Sequence, residues 1–223
     1  ALRSVDLGSS VEEIEYAAFK NCSSLKKIDI PNSVIRIENE VFSGDSSLSE
    51  VDLSDHLEYI GTAAFRGCEL LTSIEIPAAL DKAADEYDYT GPFAETGLKT
   101  VTFAEGSTQV AQRLFRDCKL LEEIIIPDTV TQIDREAFMN CTALRSVDLG
   151  SSVEEIEYAA FRNCSSLKKI DIPDGVIRIE NEAFSGDSSL SEVKLSDHLE
   201  YIGTAAFHGC ELLTSIEIPA SLD

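Results

Sequence analysis

The most reactive side chains in this chain are six cysteines, and their placement is regular. Cys22, Cys68, Cys118, Cys141, Cys164 and Cys210 each stand three residues before a leucine. Thiolates at matched positions could ligate a metal, form disulfides or carry redox chemistry. No Cys-x-x-Cys pair or histidine partner offers zinc geometry, so no metal is expected. Cys22 and Cys68 fall two repeats apart, roughly 10 Å at parallel-strand spacing, which no disulfide spans. Cys118, Cys141 and Cys164 lie on adjacent repeats, where one bridge is conceivable but in-register parallel side chains fit it badly. The pattern predicts a column of free, buried thiols and leaves the redox compartment open.

Histidine chemistry fares no better. His56 and His198 occupy the same repeat position, and His208 stands where an earlier copy has Arg66. Nothing places a nucleophile and an orienting acid beside them, so they read as turn residues on the solvent side. Glycine-rich phosphate loops are absent too. No catalytic residue and no cofactor is expected. Asn21-Cys-Ser, Asn140-Cys-Thr and Asn163-Cys-Ser match the glycan acceptor pattern, as products of the repeat consensus.

The elements that position these residues follow from one period. Leucines recur at 2, 25, 48 and 71, then at 98, 121, 144, 167, 190 and 213, every interval 23 residues except the 27 between Leu71 and Leu98. Phenylalanines keep step from Phe19 to Phe207, giving nine full units and the start of a tenth. Within a unit, Leu25-x-x-Ile28-x-Ile30 reads as a short strand with alternate residues inward, and Pro31 ends it. Val34 and Ile37 suggest a second extended piece. The Ala17-Ala-Phe19 stretch reads as one helical or 3₁₀ turn that plugs the core. Units this small cannot bury an apolar face alone, so neighbours must stack on one core. The expected fold is a β-rich, right-handed solenoid over residues 1–223, on the order of 45 Å long.

A longer repeat lies above the first. Residues 1–81 and 143–223 align with seven differences, Lys20/Arg162, Asn32/Asp174, Ser33/Gly175, Val41/Ala183, Asp52/Lys194, Arg66/His208 and Ala79/Ser221. Core packing constrains only inward positions, yet outward ones match too, which points to recent block duplication. The pattern L-x-x-I-x-I-P-x-x-V-x-x-I-x-x-x-A-F-x-x-C-x-x-L, filled by Leu121, Ile124, Ile126, Pro127, Val130, Ile133, Ala137, Phe138, Cys141 and Leu144, resembles the BspA-like (Treponema-type) leucine-rich repeats. It departs where Asp45 and Asp187 replace the cysteine and where the 71–97 unit is stretched. The resemblance implies a secreted or cell-surface microbial protein with a non-catalytic surface for protein partners.

Charge narrows the partners. Eighteen basic against 41 acidic residues give a formal −23, which repels nucleic acid and anionic lipid. No apolar run is long enough to span a bilayer. The fourth position after each strand leucine stacks Asp6, Asp29, Asp52, Glu75, Asp148, Asp171 and Glu217, interrupted by Thr102, Ile125 and Lys194. This strip reads either as a solvated face or as a docking strip for a cationic partner or calcium. The irregular unit carries Asp85, Glu86, Tyr87, Asp88 and Tyr89 before Gly91-Pro92, which reads either as a neutral insertion or as a binding loop. With Thr102 and Ile125 those residues form the candidate partner-binding set. The alternative function is a building block of a longer wall, sheath or filament array, with end-to-end self-association. Apolar residues at both ends lead to the expectation of a longer parent chain in which a copy of Lys82–Pro92 follows Asp223, about 30 Å from the first.

Overall fold

The computed structural model describes residues 2–84 and 89–222. Asp85, Glu86, Tyr87 and Asp88 of the candidate loop lie outside the described residues. From Leu25 to Phe207 each coil contains a longer strand, a turn, a two-residue strand and the phenylalanine turn; the first coil has the two-residue strand without the longer one. The two-residue strands stack in register, Ile14 on Ile37 and Ile37 on Ile60, so that the inward isoleucine repeats on these rungs while the outward partners differ, Glu13, Arg36 and Tyr59. They form one parallel ladder of four, Glu13–Ile14, Arg36–Ile37, Tyr59–Ile60 and Lys82–Ala83. A second ladder holds five, Gln109–Val110, Gln132–Ile133, Glu155–Ile156, Arg178–Ile179 and Tyr201–Ile202.

The stretched unit separates these ladders without breaking the core. Side-chain amides bridge the gap, Gln109 Nε2 donating to the Asp81 carbonyl at 2.5 Å and Gln112 Nε2 to the Ala84 carbonyl at 3.1 Å. The phenylalanine column runs through from Phe19 to Phe207, rings nearly parallel, with centroids 5.0 to 6.0 Å apart and the widest step at Phe93–Phe115.

The expected helical turn around each phenylalanine is instead a succession of tight turns. Ala18 N–H donates to the Glu15 carbonyl and Cys22 N–H to the Phe19 carbonyl, both at 3.1 Å. Helix cannot propagate because Ala17 and Asn21 adopt φ of 55° and 62°, a left-handed conformation repeated at matching positions along the chain. The only 3₁₀ turn among the described residues is Ala220–Leu222.

The longer strands have a two-rung grouping. Among the described residues they form four separate two-stranded parallel sheets, Lys27–Asp29 with Glu50–Asp52, Ser73–Ile76 with Thr100–Phe103, Glu123–Ile125 with Ser146–Asp148, and Lys169–Asp171 with Glu192–Lys194. The grouping matches an alternation of Ile-x-Ile-Pro rungs (Ile28, Ile74, Ile124, Ile170) with Val-x-Leu or Val-x-Phe rungs (Val51, Val101, Val147, Val193). Positions expected to face inward divide accordingly. The isoleucines are buried, whereas Val51, Val147 and Val193 are half-exposed.

Candidate functional site

Every member of the acidic strip described above is exposed on the strand face, as are Thr102 and Ile125. Period-two alternation puts them there: the third residue after the leucine plugs the core, so the fourth must project outward. Within a hydrogen-bonded strand pair a lysine relieves the charge. Lys27 Nζ lies 3.2 Å from Asp29 and 2.5 Å from Glu50, and Lys169 Nζ lies 3.4 Å from Asp171 and 2.9 Å from Glu192.

Across a seam the arrangement differs. Between Glu50–Asp52 and Ser73–Ile76 the face opens into a groove of about 520 Å³. Val51 and Ile74 form its floor, Glu50, Asp52 and Glu75 supply carboxylates, and Ser49, Ser73, Thr100 and Thr102 line it with hydroxyls. Among the described residues no cation lies within ion-pair distance of Asp52 or Glu75. One rung beyond Thr102, Ile125 stands 65% exposed, the most exposed large aliphatic side chain on the described strands. The corresponding seam of the second block is lined by Glu192, Val193 and Glu217, but Lys194 replaces the aspartate.

The near end of the candidate loop lies elsewhere. The guanidinium carbons of Arg113 and Arg116 stand 5.0 and 5.6 Å from the centroid of the Tyr89 ring, on the phenylalanine-turn side of the coil. Arg113 is buried and its Nε lies 2.9 Å from Glu136, which also pairs with Arg116. Gly91 permits this approach, since a Cβ there would stand 2.6 Å from the carbonyl oxygens of Arg113 and Arg116. Thr102 and Ile125 share the strand face with the groove; Tyr89 does not join them. The lining hydroxyls Ser49, Ser73 and Thr100 were not singled out by the sequence reading. The two-rung alternation of isoleucine and valine was the signal that could have located the seam.

The cysteine column consists of free thiols, with Cys22 half-buried and the other five buried. Cys141 Sγ donates to the Phe115 carbonyl of the preceding rung at 3.2 Å, and Cys164 does the same to Phe138 at 3.3 Å. Burial pushes both thiols well above their ordinary range. Asp45 and Asp187 take this place in their rungs and are fully buried. Asp45 Oδ1 accepts the Cys22 N–H at 2.6 Å and Asp187 Oδ1 the Cys164 N–H at 2.8 Å, while each Oδ2 lacks a partner among the described residues. Burial pushes the carboxyl of Asp45 up to about 6 and that of Asp187 to about 8, against the pull of those N–H groups.

The histidines sit on turns, with His56 Nδ1 2.9 Å from the Asn32 carbonyl oxygen and His198 Nδ1 3.2 Å from that of Asp174. Among the described residues no three His, Cys, Asp or Glu side chains are grouped to hold a metal. No described helix is long and apolar enough to cross a membrane.

A parallel solenoid with a leucine and a phenylalanine in register on each rung, and a cysteine, an aspartate or, in the stretched unit, Thr96 beside them, defines a leucine-rich-repeat protein. The chain belongs to the BspA type leucine rich repeat region family, whose model matches residues 1–122 and 108–223 in six copies. Solved structures agree. A leucine rich cell surface protein from Faecalibacterium prausnitzii is 28% identical over 94% of this chain and 64% of its own, with a TM-score of 0.55. A leucine-rich repeat protein from Eubacterium ventriosum is 26% identical over 89% of this chain and 56% of its own, at 0.63. The pneumococcal vaccine antigen PcpA is 25% identical over 97% and 56%, at 0.62. The chain thus spans less than two thirds of the length of each. No curated protein is significantly similar to it in sequence.

Proposed function

We infer that this chain is a non-catalytic protein-recognition module of a secreted or surface-exposed protein, and that the strand face is its contact surface. The carrying observation is the groove between Glu50–Asp52 and Ser73–Ile76, with Ile125 exposed two rungs beyond Glu75. It stands on strands backed by a continuous core, so the surface is preorganised and little entropy is lost on binding. Belonging to a repeat family with a cell-surface relative supports the location. A displayed random-peptide library panned on the immobilised chain tests the reading. Enriched sequences should lose binding to the Ile125→Lys variant at unchanged melting temperature. Enrichment indifferent to every strand-face substitution refutes it.

The near identity of residues 1–81 and 143–223 supports a second reading, a building block of a longer array. Sedimentation distinguishes the two. The recognition module stays monomeric and binds saturably, whereas an array element self-associates with rising concentration and binds nothing.

A further inference from the structure

We propose that the groove takes a basic side chain of an extended partner segment, whose apolar residue three or four positions along covers Ile125. This rests on the strand-face reading above and names the partner's chemistry. The groove presents Glu50, Asp52 and Glu75 around an apolar floor of Val51 and Ile74. Arginine and lysine side chains match that combination, with a charged head for the carboxylates and an aliphatic stem for the floor. Lys27 already engages Glu50 from the neighbouring rung, which leaves Asp52 and Glu75 for the incoming cation.

The spacing fixes the second contact. In the outward column Glu75, Thr102 and Ile125 follow on consecutive rungs, with Ser73–Ile76 hydrogen-bonded to Thr100–Phe103 in register. At about 4.8 Å per rung, Ile125 lies roughly 10 Å from Glu75 and 14 Å from Asp52. An extended chain advances about 3.3 Å per residue, so those distances are three and four residues of partner. The exposed isoleucine is an observation independent of the carboxylates, and together they set the direction and order of the motif.

The duplicated block supplies an internal comparison. Its seam keeps Glu192, Val193 and Glu217 but carries Lys194 where the first block has Asp52, so it holds a cation of its own. A basic ligand is therefore expected in the first seam alone. The same comparison yields a fold-compatible test variant, because Asp52→Lys makes the first block resemble the second.

The probe is a fluorescent acetyl-Gly-Ser-Arg-Thr-Ser-Leu-Thr-Gly-amide peptide, titrated by anisotropy at physiological ionic strength. It should bind with one-to-one stoichiometry. Changing its Arg to Glu or its Leu to Ser, or changing the protein by Asp52→Lys or Ile125→Thr, should weaken binding by about tenfold or more. Asp171→Lys makes the same charge change elsewhere on the face and should leave affinity within about twofold. Equal weakening by Asp171→Lys would mean diffuse attraction to an acidic protein and overturns the proposal. Binding of the Glu peptide that is still lost in Ile125→Thr overturns it too, while leaving the strand-face recognition reading intact. Absence of any binding up to about 1 mM also rejects the motif, and the library experiment then judges recognition separately.

Discussion

Asp187→Cys should stabilise this protein, by an amount that depends on pH in a calculable way. The carboxyl of Asp187 is excluded from water, accepts one N–H from Cys164 and has an oxygen without a partner among the described residues. Burial raises it from 3.8 to about 8. In the unfolded chain it ionises near its ordinary value, so folding at neutral pH must take up a proton. Its contribution to stability is intact below about pH 4 and is lost as pH rises towards about 8, at roughly 1.4 kcal/mol per pH unit. By pH 7 the loss is on the order of 4 kcal/mol. Cysteine, the residue of five other rungs beside Cys22, stays neutral and bonds to a carbonyl of the preceding rung. Urea denaturation under reducing conditions, at pH 4.5, 6, 7.5 and 9, reads the difference. The variant should gain several kcal/mol at the alkaline end and almost nothing at the acidic end, with unchanged denaturant sensitivity. Asp187→Asn should flatten the pH dependence in the same way. A pH-independent difference, or a cysteine variant weaker at pH 9, refutes the claim that a buried, proton-holding carboxyl sits in this column. Asp45, raised to about 6, should show the same trend over a narrower range ending near pH 6.

Phe138→Ala removes a fully buried ring stacked between Phe115 and Phe161 and should cost about 3–5 kcal/mol; because rungs couple only to neighbours, calorimetry should resolve two transitions. Gly91→Ala forces a methyl against two carbonyl oxygens and should cost about 1–3 kcal/mol, read as a lower melting temperature, with the Tyr89 cover over Arg113 displaced. Native-state alkylation followed by mass spectrometry should label Cys22 first, since the other five thiols are buried. Millimolar calcium should raise the melting temperature no more than matched ionic strength does, because the strand pairs already carry Lys27 and Lys169 among their acids.

The leucine and phenylalanine periods alone determined the solenoid, its register and the inward column of thiols, because packing one apolar residue of each type per rung is a local, repeated requirement. The same alternation determined that Asp52, Glu75, Thr102 and Ile125 project outward. Tertiary structure decided three things the period could not. It made the phenylalanine segments tight turns rather than helix, since Ala17 and Asn21 must turn left-handed for the chain to meet the next rung. It set Tyr89 over Arg113 and Arg116, apart from Thr102 and Ile125, because Tyr89 stands four residues before Phe93 on the phenylalanine-turn side of the coil and not on a strand. And it opened the strand face into seams at every second rung. Which longer strands hydrogen-bond to each other is a relation between neighbouring rungs that no single 23-residue unit contains.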